Sequence, residues 1–152
     1  MFRGLTTINL DSKGRLAVPT RFREILRALE SPVLVVTVNP WDRSLWIYPL
    51  GEWQDIESKL AQLSDFDRQS RRTKQIMRGY ATDVECDTQG RILLPAELRE
   101  IASLTKQGVL LGQDNKLELW DRARWESVRD EWLDEVASDG GAPSSALESL
   151  AL

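Results

Sequence analysis

Apolar and polar positions alternate with a period near two from Leu5 to Leu10, the pattern of a strand with one buried face. Asp11-Ser12-Lys13-Gly14 interrupts it with turn chemistry: an Asp that accepts backbone hydrogen bonds and a Gly that closes the turn. Arg15 to Val18 resumes as a return strand until Pro19, which suits the first turn of a helix because its missing N–H costs little there. Phe22, Ile25, Leu26 and Leu29 then recur at helical spacing, and Ser31-Pro32 breaks the helix. A β-branched run from Val33 to Val38, a turn at Asn39-Pro40-Trp41-Asp42 and a last apolar run from Leu45 to Tyr48 follow. The unit therefore reads strand, turn, strand, helix, strand, turn, strand.

The same unit is then written a second time. Tyr80 to Cys86 predicts a strand, Asp87-Thr88-Gln89-Gly90 the turn, and Arg91 to Leu94 the return strand. Pro95 opens a helix through Leu98, Ile101 and Leu104, and Gln107-Gly108 breaks it. Val109 to Gly112 and Lys116 to Trp120 predict strands joined by a turn at Gln113-Asp114-Asn115. Phe22-Arg23-Glu24-Ile25 matches Leu98-Arg99-Glu100-Ile101, and Val33-Leu34-Val35 matches Val109-Leu110-Leu111 at the same offset. Each unit is trailed by an amphipathic helix, one marked by Trp53, Ile56, Leu60 and Leu63, the other by Trp125, Val128, Trp132 and Val136. Asp65 to Gly79 is a further helical stretch, anchored by Ile76, Met77 and Tyr80 and carrying Arg68, Arg71, Arg72, Lys74 and Arg78. The expected organisation is a first unit over 5–50, a helical connector over 51–79, a second unit over 80–122, a helix over 123–137 and a disordered Gly/Ala/Ser-rich tail over 138–152.

Composition narrows the function classes. With 152 residues and 41% hydrophobic content, neither half is comfortable alone, so the two are expected to share a core. There is no histidine, which removes His-based nucleophile activation, His general-base catalysis and every His-containing zinc site. A single Cys86 excludes an internal disulfide, and the carboxylates form no clear catalytic pair. An enzyme is not expected, and neither is a metal or cofactor. The chain opens Met1-Phe2-Arg3-Gly4 into a strand-like segment with no leader pattern and holds no apolar run of membrane-spanning length, so a cytoplasmic address is expected.

A formal net charge of -4 argues mildly against a nucleic-acid partner, but distribution matters more than the sum. Arg3, Lys13, Arg15, Arg21, Arg23 and Arg27 make the front of the chain basic, while Asp130, Glu131, Asp134, Glu135, Asp139 and Glu148 make its end acidic. Arg15 and Arg91 each follow a tight turn at the start of a strand. A guanidinium displayed there can lie flat against guanine O6 and N7, a contact worth about 1–3 kcal/mol of discrimination. Asp11 and Asp87, four positions earlier, can accept from the same guanidinium and fix its rotamer. The plainer reading is a structural ion pair that ties off each turn, and both roles can hold together. Arg23 and Arg27 share a helix face that fits phosphate contact as well as a solvated face pairing with Glu24 or Glu30; the Arg68–Arg78 run reads more simply as solvated. Trp53, Trp125 and Trp132 read as core or subunit packing, whereas Trp41, in a turn, reads as an interface anchor.

The doubled D-x-x-G-R with its downstream P-x-x-[FL]-R-E-I resembles the swapped-hairpin domain of the bacterial AbrB-type transcription factors. Two such domains in tandem, opening on Met-Phe-Arg-Gly and each trailed by a Trp-bearing helix, resemble the MraZ family of regulators over all but the tail. The resemblance implies an α+β fold, mainly β, whose interlocked hairpins form one intertwined β-barrel core. It implies nucleoid association, ring-shaped homo-oligomers, and double-stranded DNA with short G-rich promoter repeats as the partner. It implies repression of the protein's own division and cell-wall gene cluster. It carries DNA contact onto Arg15 and Arg91, with Lys13 and Arg3 as added cations of the first half and Asp11, Gly14, Asp87 and Gly90 as the turn-shaping residues. The first loop has Lys13 where the second has Gln89, so the first loop is expected to lead. Swapped-hairpin domains also serve as antitoxins, and an interaction module whose acidic end engages a partner is the alternative.

Overall fold

In the computed structural model, which describes residues 1–138 and 143–150, the first repeat forms β1 (Phe2–Asn9), β2 (Arg15–Ala17), α1 (Thr20–Ala28), β3 (Val33–Val38) and β4 (Leu45–Pro49). The connector holds α2 (Leu50–Ala61) and α3 (Arg68–Gly79). The second repeat forms β5 (Thr82–Glu85), β6 (Arg91–Leu93), α4 (Ala96–Ile101), β7 (Gln107–Asp114) and β8 (Leu117–Asp121), and α5 (Arg122–Ser138) and α6 (Ser145–Glu148) complete the described elements. The helical reading of Asp65 to Gly79 corresponds to α3, whose first turn is capped by Asp67 accepting from the Ser70 N–H at 3.0 Å. Gln107-Gly108, expected as a break, instead begins β7, because Gln107 and Gly108 pair with Asn9 and Ile8 of β1. A partner strand supplies what local composition argued against.

Strand pairing crosses between the repeats. A six-stranded sheet runs β1-β7-β8-β4-β3-β5, all neighbours antiparallel. The first strand of the first repeat lies against β7 of the second, from Phe2↔Asp114 to Asn9↔Gln107. The first strand of the second repeat lies against β3 of the first, from Val33↔Glu85 to Val36↔Thr82. Between them β4 and β8 meet at the centre, Leu45 opposite Leu119 and Ile47 opposite Leu117. One apolar core results, drawing Phe2, Leu16, Phe22, Leu34 and Val36 from one repeat and Ile92, Leu94, Leu98, Leu110 and Leu119 from the other.

The expected closed β-barrel is not what forms. β2 and β6 are three residues each and pair with one another, as Arg15↔Leu93, Leu16↔Ile92 and Ala17↔Arg91, in a separate two-stranded sheet. Among the described residues an isolated bridge, Leu10↔Leu16, joins β2 to the residue just beyond β1. Strands so short cannot pair with one another and also bond along both edges of the large sheet, so its order ends at β1 and β5, and among the described residues no sheet closes. The fold is a mixed α and β architecture with an open six-stranded sheet and a two-stranded ribbon.

A second apolar cluster lies where α2 and α3 cover part of the sheet, joining Val35, Trp46 and Tyr48 to Trp53, Leu60 and Met77. Thr37, fully buried, donates from Oγ1 to the Met77 carbonyl at 2.6 Å and satisfies the end of α3. Trp41 is 69% exposed and meets Trp46 edge to face at 5.5 Å. Part of the connector's basic run is occupied locally: Lys74 bridges Asp65 and donates to the Leu63 carbonyl, and Arg71 donates to the Asp65 carbonyl at 3.0 Å.

The chain divides into Met1–Arg122, holding this fold, and Ala123–Leu152. In the second, Trp125 and Trp132 of α5 meet edge to face at 6.0 Å, and Leu133 and Val136 are exposed. Residues 139–142 and 151–152 of the expected disordered tail lie outside the described residues; between them Ser145–Glu148 makes one helical turn, with Ser144 Oγ accepting from the Leu147 N–H at 3.4 Å.

Candidate nucleic-acid interface

Each Asp-x-x-Gly-Arg turn builds the same local lock from its own residues. Asp11 Oδ1 accepts from the backbone N–H of Lys13 and of Arg15, both at 2.9 Å, while Oδ2 accepts from Arg15 Nε at 2.8 Å. Asp87 repeats this with Gln89 N and Arg91 N at 2.9 Å and Arg91 Nε at 3.0 Å. The Gly14 N–H donates to the Asp11 carbonyl and the Gly90 N–H to the Asp87 carbonyl, each at 3.0 Å. The Arg15 N–H bond, together with the Arg15 side chain and the Lys13 N–H, draws the Asp11 carboxyl from its ordinary 3.8 down to about 2; the Arg91 N–H leads the same downward shift at Asp87. Both carboxylates are thus ionised at neutral pH and hold their arginines.

The lock consumes only Nε. Among the described residues the Nη1 and Nη2 nitrogens of Arg15 and Arg91 take no hydrogen bond, and each side chain is about a third exposed. A guanidinium fixed at its base with both terminal nitrogens open is prepared for a planar, bidentate acceptor.

Glycine is required at both turns. Gly14 has φ +85° and Gly90 φ +76°, in the left-handed region. A Cβ on Gly14 would also lie 2.5 Å from Nε of Arg99, on α4 of the other repeat, and one on Gly90 would lie 2.5 Å from Cδ of Arg23, on α1. Each turn is roofed by an arginine from the opposite repeat. Arg99 Nε donates to the Leu94 carbonyl at 3.1 Å, and Arg23 Nη2 donates to Thr20 Oγ1 at 3.0 Å. This packing role for Arg23 and Arg99 escapes the sequence pattern, because the arginine and the glycine it covers come from different repeats; the matched Arg23 and Arg99 were the available signal.

The ribbon brings the two turns together. Leu16 and Ile92, each 1% exposed, fill the inner face, where truncation to Ala would cost about 2–5 kcal/mol. Period two therefore puts Arg15, Ala17, Arg91 and Leu93 on the outer face. Arg15 stands diagonally from Arg91, a relation that separates residues by about 7–8 Å. Lys13 sits at the tip of the first turn beside this face. Arg3 does not join it: it lies at the far end of β1, on the order of 25 Å from the turn by strand rise, opposite Gln113. Leu93 is a residue that sequence reasoning missed on this face, because Ile92-Leu93-Leu94 reads as one apolar run.

Nothing in this arrangement suggests catalysis. Burial, with the Asp87 charge beside it, pushes the Cys86 thiol up, away from the nucleophilic thiolate, and there is no histidine to activate a nucleophile. The chain is a duplicated scaffold that presents two acid-anchored arginines on one small ribbon. A family described as "MraZ protein, putative antitoxin-like" matches the chain twice, over residues 1–76 and 77–140. The chain is 48% identical over all 152 residues to the transcriptional regulator MraZ of Thioalkalivibrio sulfidiphilus and 47% identical to that of Halorhodospira halophila, with full coverage of both proteins. It is 45% identical to the MraZ regulator of Shewanella baltica, again at full coverage. The chain belongs to the MraZ family of transcriptional regulators, and it is not an enzyme. No helix among the described residues is long and apolar enough to cross a membrane.

Proposed function

We propose that this regulator binds double-stranded DNA in a sequence-specific way, laying the β2–β6 ribbon into the major groove so that Arg15 and Arg91 read guanines. The observation that carries the reading is the pair of guanidinium groups held at Nε by Asp11 and Asp87, with Nη1 and Nη2 open on one outward face. A groove about 12 Å wide admits a two-stranded ribbon. Two arginines about 7–8 Å apart match bases roughly two steps apart at the 3.4 Å rise of one strand. Lys13 contacts phosphate at the edge of the same face. The net charge of -4 is no obstacle, since only the face turned to DNA needs to be basic.

The sites are short G-rich repeats in the promoter of the protein's own division and cell-wall gene cluster, where binding at the nucleoid represses transcription. Subunits in a ring-shaped homo-oligomer engage successive repeats, so that many weak contacts add. The test is binding of the purified chain to a promoter fragment with G-rich repeats against a scrambled duplex, across a salt series. Arg15→Ala and Arg91→Ala should each lose roughly five- to 150-fold in affinity for the repeats, Arg15→Ala more, with the oligomer intact. No preference for the repeats by wild type would overturn the reading. Loss in Arg91→Ala alone would overturn the ranking of the loops.

The alternative, a protein-interaction module of the antitoxin type, draws on the matched family's description and on the exposed Leu133 and Val136 among acidic residues of α5. It predicts a protein partner whose capture survives Arg15→Ala and Arg91→Ala but fails on truncation after Arg122.

A further inference from the structure

The outer face of the β2–β6 ribbon carries, besides its two arginines, an exposed leucine, Leu93, where the other repeat has Ala17. Leu93 lies directly across from Arg15, whereas Ala17 lies across from Arg91. Leu93 is 54% exposed, although both residues beside it, Ile92 and Leu94, are almost wholly buried. The pairing phase brings it close to Arg15. The Leu94 N–H donates to the Gly14 carbonyl and the Val18 N–H to the Gly90 carbonyl, so Gly14–Leu94 and Val18–Gly90 are hydrogen-bonded positions of the ladder. Arg15–Leu93 and Ala17–Arg91 are then the intervening pairs without mutual bonds, where side chains stand nearest, with Cβ atoms about 4.5–5.5 Å apart.

We infer that Leu93 is a specificity-determining residue, packing against the C5-methyl group of a thymine within about one base step of the guanine read by Arg15. This rests on the DNA-binding reading above. The occupant is argued from the face itself: an apolar group across the ladder from Arg15 and two residues along the strand from Arg91, both with open terminal nitrogens, fits a surface that alternates acceptors with methyl groups, as the major-groove edge of a G/T sequence does. The two ends of the ribbon are unequal in consequence. Arg15 with Leu93 reads guanine and a neighbouring methyl, while Arg91 with Ala17 reads guanine with little reach beyond it. A near-symmetric ribbon thereby acquires a direction on DNA.

The experiment selects the tightest duplexes from a random pool with wild-type protein, then replaces each thymine in turn by deoxyuridine, which removes only the methyl group. At one thymine beside the essential guanine, wild type should lose about three- to five-fold in affinity, the scale of one buried methyl group. Leu93→Ala should bind the thymine duplex that much more weakly and be indifferent to deoxyuridine there. Leu93 is 54% exposed and belongs to neither apolar cluster, so the variant should fold as wild type; Leu93→Met keeps apolar reach and should retain sensitivity. Equal deoxyuridine losses in wild type and Leu93→Ala, or no deoxyuridine effect in wild type, would overturn the inference. So would a changed oligomer mass in Leu93→Ala with thymine sensitivity retained, since Leu93 would then face another copy. Failure of the underlying reading looks different: no duplex would be enriched at all.

Discussion

The two Asp-x-x-Gly-Arg turns are copies in backbone and lock but not in surroundings. Their aspartate contacts agree to within 0.2 Å, both glycines take positive φ, and both are roofed by an arginine of the opposite repeat. Beside the first turn, however, stands Lys13, and the first repeat also carries Arg21, which lies toward the Arg3 end of β1, donates to Thr6 Oγ1 and sits over the Phe22 ring at 4.7 Å. The second has Gln89 and Glu97 at the matching positions. The lock is local chemistry that duplicated intact, because an Asp, a Gly and an Arg suffice to build it. The charge around it was free to diverge, since exposed positions bear little on stability. The two turns are equal in geometry and unequal in charge.

The sharpest way to break the equivalence is at the glycines. Gly14→Ala and Gly90→Ala should each destabilise the fold by about 2 kcal/mol or more, from left-handed strain and from collision with Arg99 or Arg23. Urea midpoints check this. Adding Arg99→Ala to Gly14→Ala should recover part of the loss, since the collision is relieved while the positive φ remains; equal midpoints for the single and double variants would place the whole cost in the backbone.

A smaller effect tests the divergence. Lys13→Gln should make the first turn resemble the second and lower the slope of log affinity against log salt by about one, with sequence preference kept. Gln89→Lys should raise it by a similar amount if both turns approach phosphate together. An unchanged slope in Lys13→Gln would remove the proposed asymmetry of the loops.

The smallest effect is that of pH on the locks. Asp11 is depressed from 3.8 to about 2 in the folded chain, so its contribution is present above about 4 and is lost as pH falls through about 2. The stability difference between wild type and Asp11→Asn should therefore be constant from neutral pH to about 4 and shrink below it. Asp87→Asn should show a loss in the same direction, its carboxyl being lowered by the same contacts. A difference that persists unchanged at pH 2 would mean that the asparagine, not the lost charge, causes it.

Much of the fold was legible in the chain. Period-two and helical spacings marked the strands and helices to within a few residues, and the turns followed from Asp and Gly. Misreadings came where a tertiary partner overrode local pattern. Gln107-Gly108 joined a strand because β1 lay alongside, and Leu93, inside an apolar run, turned outward because its neighbours were claimed by the core. The site was legible as residue types, not as an assembly: Arg15 and Arg91 stood out, but the roofing by Arg23 and Arg99 and the remoteness of Arg3 did not.

The sequence by itself determined that the chain is two copies of one unit, where each turn falls, and that Asp, Gly and Arg form a lock at both. These are short-range matters, settled by dihedral preference and by hydrogen bonds between residues at most four apart. Only the tertiary structure decided that each first strand pairs in the other repeat, that β2 and β6 pair with each other, and that the large sheet stays open. Periodicity says which face of a strand is buried but not which strand lies beside it, and two copies with equivalent apolar faces can pair within or between repeats. That choice, made by the shared core, brings two arginines from distant parts of the chain onto one face.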